Sequence, residues 1–359
     1  MGGRCMDISA IQQALGEQGL DGWLLYDLRG SNPIARAVIG FDERQIGTRR
    51  WFYFIPREGE PVAILHASEG AIYPHFGFGL GTLSGGFECE AGGFRFARPA
   101  EPLGRIRLVE PDEAMGIIPA LYDQLWPTIP GAISRSPAKW RAQLLAPAGR
   151  HHAQGGPKYL AVLEVGGEPR GYALYRVKDD WDERGPKNVL TVLEVSGLDR
   201  AAERALWEWL AGIDLVRRIK AWRRPVPDPL FLQLADMNRL GFTVGHGLWV
   251  RLIDLPAALE ARSYVGSGEV TFEVTDAFRP ANAGRWRLQA TAGRATFTAT
   301  TEAPGLALDT SDLATTYLGG FTFADLARAG RVRECRDGAV AEADRLFATT
   351  VVPWCATGF

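Results

Sequence analysis

The sequence predicts a mixed α/β (α+β) chain of several domains, and three observations carry that expectation. Short apolar runs rich in β-branched and aromatic residues, of strand length, recur between segments with helical spacing. Glycine and proline, 42 and 22 of the 359 residues, punctuate the junctions between them. The length exceeds the roughly 100–150 residues of a common domain, so the periodic segments must be shared among more than one core.

Taken in order, Asp7 to Gln18 has helical spacing at Ile8, Ile11 and Leu15, with Asp7 placed as its cap. Asp21 to Asp27 reads as a strand, Ser31 to Ile39 as a short helix opened by Asn32-Pro33, and Arg50 to Pro56 as a second strand. A turn at Glu58-Gly-Glu60 leads into the apolar run Pro61 to His66. Leu80 to Phe96 suits two short strands, with a boundary at Pro99 to Gly104. Arg105 to Val109 is a strand; Asp112 to Trp126 is a helix capped by Asp112 and stopped by Pro127, and Ser136 to Leu145 is another. Strands follow at 158–165, 171–177 and 189–195, then an amphipathic helix at 199–210 with Trp207 and Leu210 on its inner face. A strand at 216–222, a short helix at 228–234 and a closing strand at 248–253 complete this region. A helix at 255–262 precedes strands at 268–274, 285–291, 295–301 and 306–308, and helices at 311–317, 322–329 and 340–347.

Composition narrows the function. The 40 basic and 42 acidic residues balance to a net charge of -2, which argues against binding nucleic acid through bulk charge. No apolar run reaches the roughly 18 residues of a membrane span. The first six residues, Met-Gly-Gly-Arg-Cys-Met, lack the apolar core of a signal peptide. Cys5, Cys89, Cys335 and Cys355 show neither metal spacing nor a disulfide framework, which fits a reducing cytoplasm. The pair His151-His152 reads as part of a solvated loop, and no metal is expected.

The stretch richest in chemistry is Ala67-Ser-Glu-Gly-Ala-Ile-Tyr73-Pro-His-Phe-Gly-Phe-Gly79. It follows a buried-strand run, so it must be a turn or loop carrying aromatics. A tyrosine there is a natural proton donor: its neutral phenol, with an ordinary pKa of about 10, can protonate a leaving thiolate in a dry site. The residues alone leave a second reading open, in which Tyr73, Phe76 and Phe78 are core aromatics of a tight turn.

This string resembles the GCN5-related N-acetyltransferases, and within them the enhanced intracellular survival (Eis) enzymes. So do Gly171-Tyr-Ala-Leu-Tyr-Arg176, Gly247-Leu-Trp-Val-Arg-Leu252 and Leu255-Pro-Ala-Ala-Leu-Glu-Ala-Arg262. The resemblance covers about residues 61–359. It implies a first acetyltransferase domain reduced to 67–103, a second at 104–254 and a sterol carrier protein-like domain at 255–359. It makes Tyr73 the general acid and the α-carboxylate of Phe359, in the tail Pro353-Trp-Cys-Ala-Thr-Gly-Phe359, the general base. Phe76, Phe78 and Trp354 would meet the substrate. It further implies acetyl-CoA as acetyl donor, a primary amine of aminoglycoside or lysine type as acceptor, and a homo-oligomer, hexameric by analogy. Gly358 departs from relatives with an acidic residue at that position.

Residues 7–60 instead resemble the N-terminal domain of Xaa-Pro peptidases and creatinases, through Gly22 to Pro33 and Thr48 to Pro56. The metal-bearing catalytic domain of those enzymes has no counterpart here, so peptidase activity is not expected. An acetyltransferase of this fold also needs a phosphate loop, Arg/Gln-x-x-Gly-x-Gly/Ala, ahead of a helix. The nearest string, Arg44-Gln-Ile-Gly-Thr-Arg49, fails at its last position and runs into a β-like, proline-ended segment. Acetyl-CoA-binding residues therefore stay unassigned. A second functional reading follows: an inactive remnant serving as a binding or assembly module, with an apolar ligand or simply a packed core in its C-terminal domain.

Overall fold

The computed structural model describes residues 8–18, 22–28, 50–56, 62–67, 70–145, 155–291 and 293–358. It opens with α1 (Ile8–Glu17) and an antiparallel pair, β1 (Gly22–Leu28) and β2 (Arg50–Pro56), in register from Gly22 opposite Pro56 to Leu28 opposite Arg50. Then come β3 (Val62–His66), a 3₁₀ turn at Tyr73–Phe76, β4 (Gly79–Leu80), β5 (Leu83–Glu90) and β6 (Arg105–Leu108). Helices α2 (Pro111–Leu125) and α3 (Pro137–Lys139) follow, the latter continued by a wide π turn at Trp140–Leu145. The middle of the chain supplies β7 (Lys158–Val165), β8 (Glu168–Lys178), β9 (Trp181–Asp182), β10 (Gly185–Pro186) and β11 (Asn188–Gly197). It goes on through α4 (Arg200–Ala211), β12 (Val216–Arg224), α5 (Leu230–Gln233), β13 (Thr243–His246) and β14 (Leu248–Leu252). The last part has α6 (Leu255–Ala261), β15 (Gly268–Thr275), β16 (Gly284–Thr291), β17 (Arg294–Ala299) and β18 (Leu306–Asp309). It closes with α7 (Thr310–Thr316), α8 (Phe323–Arg328), β19 (Arg333–Glu334) and α9 (Ala339–Phe347).

These elements divide into two compact units. One contains residues up to Thr82 together with His246–Thr350; the other contains Leu83–Gly245 and Val351–Gly358. In the first, β3, β14 and β4 form a three-stranded sheet with β14 central, and a five-stranded sheet runs β17-β16-β15-β18-β19. Val250 and Leu252 of β14, Leu255 and Leu259 of α6, Phe272 and Phe297 of the larger sheet and Leu313 of α7 share one core. Burial of each such side chain contributes about 1.5–3 kcal/mol. Asp309 and Thr322 close reciprocal capping boxes with Asp312 and Asp325, so α7 and α8 start where the sequence places them.

The second unit is built on a seven-stranded sheet in the order β13-β5-β12-β11-β8-β7-β6. Alternation along β7 separates its faces: Ala161 and Leu163 pack with Leu206, Trp207 and Leu210 of α4, whereas Leu160 and Val162 pack with Ile118 and Leu121 of α2. The inner face expected for the 199–210 helix is the one buried.

The structure corrects several expectations. Leu80 to Phe96 is not two short strands: Leu83–Glu90 runs unbroken, because it pairs along β12 and its Glu88 is bonded by Arg218 and Lys220 across the register. That pairing puts this strand in the second unit's sheet. The closing strand 248–253 instead joins β3 and β4 in the first unit, pairing from Leu248 opposite His66 to Leu252 opposite Val62. Glu110, not Asp112, is the N-cap of α2; Asp112 sits in the first turn, where its charge meets the helix dipole. The expected cap Asp7, helix at 31–39, string at 44–49, turn at 58–60 and His151-His152 loop lie outside the described residues.

Candidate functional site

Tyr73 opens the 3₁₀ turn that follows β3. Pro74 sets its second position, and the turn closes when the Gly77 amide donates to the Pro74 carbonyl at 2.9 Å and the Phe78 amide to the Tyr73 carbonyl at 3.2 Å. Gly77 has φ +75°, a left-handed conformation that a side chain would strain. Half-buried, the Tyr73 ring stands edge-on to Phe78 at 6.0 Å and tilted against Trp249 at 6.3 Å. Phe76 meets Phe278 edge-on at 5.6 Å.

Beneath the turn lies β14. Its Arg251 is 2% exposed, and it donates to Asp276 at 2.6 Å. Asp276 also accepts from Asn282 at 3.0 Å and from the amides of Phe278 and Arg279 at 3.2 and 2.9 Å. Asn282 in turn donates to the Leu252 carbonyl at 3.3 Å. The guanidinium packs so closely under Gly77 that a Cβ there would stand 2.6 Å from Arg251 Cζ. Gly79 is equally constrained, since a Cβ would run into the Ser311 carbonyl and the Thr315 amide of α7. The turn is thus held from one side by a buried ion pair and from the other by helix backbone.

Trp249 neighbours both Tyr73 and His246, the latter ring at 6.2 Å, and it is 8% exposed. Its indole N–H has no hydrogen-bond partner among the described residues. A buried donor left unpaired costs about 1–3 kcal/mol, so an acceptor supplied by a ligand beside Tyr73 would relieve a standing penalty. The arrangement can therefore offer an apolar wall, one free donor and a phenol to a polarised acyl group.

The structure brings Tyr73, Phe76 and Phe78 into one turn, as their spacing required. Trp354 belongs to the other unit, where its indole N–H donates to the Arg223 carbonyl and its amide to the Pro130 carbonyl at 2.9 Å. Phe359 lies outside the described residues. Sequence reasoning missed Arg251, Asp276, Asn282 and Trp249. One signal was present: a lone arginine inside the apolar run Leu248-Trp-Val-Arg-Leu-Ile253 marks a buried charge that must be paired. Asp276 and Asn282 carried no such signal in their loop. Among the described residues there is no cluster of three or more His, Cys, Asp or Glu able to hold a metal. No described helix is long and apolar enough to cross a membrane.

Comparison with known proteins gives the family. Residues 131–252 match the acetyltransferase (GNAT) domain and residues 255–356 the sterol carrier protein domain. An uncharacterized N-acetyltransferase of Streptomyces coelicolor is 41% identical over 303 residues, covering 84% of this chain and 73% of its own. The N-acetyltransferase Eis of Mycobacterium tuberculosis is 36% identical over 309 residues, covering 83% of this chain and 71% of its own. The crystal structure of Eis1 from Mycobacterium abscessus superposes with a TM-score of 0.71 at 30% identity, over 83% of this chain and 73% of that one. A GCN5-related N-acetyltransferase from Anabaena variabilis, at 20% identity and a TM-score of 0.70, shares the fold over 98% of this chain and 77% of that one. On these identities and spans the chain belongs to the Eis-like family of GNAT N-acetyltransferases.

Proposed function

We propose that the protein transfers the acetyl group of acetyl-CoA to a primary amine, of aminoglycoside type or a lysine ε-amine, with Tyr73 as general acid. The observation that carries this reading is the seat of Tyr73. Its turn is fixed by Gly77, by the Arg251–Asp276 pair and by α7, and the indole ring of Trp249, whose N–H is unpaired among the described residues, stands tilted against the Tyr73 ring. That donor and the apolar rings fit a thioester end better than a polyanion. Acetyl-CoA would bring the activated acyl carbon.

The amine nitrogen attacks that carbon as the C–N bond forms and the C–S bond breaks, and the departing thiolate takes the phenolic proton of Tyr73. The amine's own proton goes to a base, which by family resemblance is the Phe359 α-carboxylate. Apolar surroundings would raise such a carboxylate toward useful basicity. Phe76 and Phe78 line the acceptor side in this reading. In this reading the described strands of residues 7–60, β1 and β2, supply no catalytic group.

A second reading, a binding or assembly module without turnover, draws on one observation. The residues after the Arg44–Arg49 string form strand β2 rather than the helix that a phosphate loop requires. One experiment separates the two. The purified chain is incubated with acetyl-CoA and a panel of primary amines while free coenzyme A thiol and acetylated product are followed. Amine-dependent thiol release with matching product supports transfer; a folded sample that yields neither leaves only the module.

A further inference from the structure

The parallel strands β11 and β12 of the second unit do not stay together. They pair from Asn188 opposite Val216 as far as Val192 opposite Ala221, and both run on without pairing each other. At the same point β11 slips its register against β8, between Val192 and Glu194, so one residue bulges where the strands part. The parted edges would leave backbone groups exposed in a recess lined by Val192, Glu194, Trp222, Arg223 and Arg224. Trp354 and Ala356, from the chain's own C-terminal segment, form part of its wall.

The contacts that hold this segment are specific. The Trp354 indole N–H donates to the Arg223 carbonyl, a group on the parted edge of β12, and Arg224 lies over its ring at 5.9 Å. Farther along, the Thr357 hydroxyl accepts from Arg135 Nε at 2.8 Å and lies 3.3 Å from the Tyr122 hydroxyl. Arg135 is itself built in: it is 6% exposed, donates to Glu194 at 2.9 Å and stacks over Tyr122 at 3.9 Å and Trp140 at 4.8 Å. Glu194 also accepts from the Tyr172 hydroxyl at 2.5 Å. Lys139 Nζ then donates to the Gly358 carbonyl at 2.9 Å. The segment is thus bonded to β12 through Trp354, to Arg135 and to Tyr122 of α2 through Thr357, and to Lys139 of α3 through Gly358.

We propose that the gap between β11 and β12 is an internal docking site for the segment Pro353–Gly358, with Arg135 as the positioning residue that reads Thr357. The segment behaves as a tethered ligand that can release while the sheet stays folded. Its function is to fix the backbone up to Gly358. For turnover, that consequence rests on the base assigned above to the next residue.

Cys355 reports on the segment, because it is buried beside Thr357 and its Sγ lies 3.5 Å from the Thr357 carbonyl. The test is the rate of thiol labelling at Cys355 in the full chain, resolved from Cys5, Cys89 and Cys335 by peptide mapping. Thr357→Val keeps the shape and removes the hydroxyl, leaving the Arg135–Glu194 pair intact. Labelling should accelerate on the order of tenfold or more, the loss expected when a buried charged donor forfeits its acceptor. Thr357→Ser should label as slowly as the parent, and far-UV dichroism should be the same in all three. Equal rates in the parent and Thr357→Val would overturn the proposal. So would acceleration of the parent by acetyl-CoA, since the gap would then belong to that ligand. If Thr357→Val labels fast but turns over normally, the docking site stands and the Phe359 base falls.

Discussion

Arg251→Met tests the frame under Tyr73. The substitution keeps the length of the side chain and removes the charge, leaving the Asp276 carboxylate, 1% exposed, without a counter-ion. Breaking one side of a buried pair costs about 3–5 kcal/mol. Three dipolar donors remain on Asp276, from Asn282, Phe278 and Arg279, so the lower end applies, ~3 kcal/mol. The guanidinium is also the surface against which Gly77 is pressed, so part of the loss must appear in the turn itself. At about 1.4 kcal/mol per decade, the whole amount would speed opening-limited exchange roughly a hundredfold. Hydrogen exchange read by mass spectrometry on peptides spanning 70–82 should show this at the Gly77 and Phe78 amides. Asp276→Asn alone should cost less, and the double variant should fall short of the sum of the singles by more than about 1 kcal/mol in urea unfolding. Unchanged exchange at Gly77 and Phe78, together with strictly additive costs, would refute the claim that this pair holds the turn.

Two further outcomes follow. Gly79→Ala puts a methyl group against α7 backbone and 2.6 Å from Thr315 Oγ1, so it should destabilise by ~1–3 kcal/mol or more in the same unfolding experiment. Burial, with help from Arg176, holds the Lys158 ammonium down at about 8. The folded state then binds fewer protons than the unfolded chain between about pH 8 and 10.4, so stability rises with pH across that window and the penalty is fully present below it. The advantage of Lys158→Gln over the parent in urea midpoint should therefore be largest near neutral pH and shrink as pH rises through the window. A constant difference would contradict the buried ammonium.

Much of the fold was legible in the sequence. Strand and helix positions in 158–347 follow from period and caps, as at Asp199, Asp254 and Thr322, each of which accepts from the backbone amide three residues on. What was not legible was pairing. Nothing local in Leu83–Glu90 says that it lies beside β12, or in Leu248–Leu252 that it lies between β3 and β4; both are long-range registers set by opposed side chains. The same limit applies to the site. Tyr73 and its turn are written in one contiguous string, whereas Asp276 and Asn282 come from a distant loop and reach the turn through Arg251 and through the Phe278 ring against Phe76. Thr357 and Arg135 likewise lie 222 residues apart in the chain and meet only because β11 and β12 separate.

The most direct test of the central claim is steady-state acetyl transfer by Tyr73→Phe, which keeps the ring against Phe78 and Trp249 and removes only the phenolic proton. The account predicts a kcat lowered by about 10²–10⁴, the usual yield of general acid catalysis, with KM for acetyl-CoA little changed. A kcat equal to that of the parent chain would contradict it.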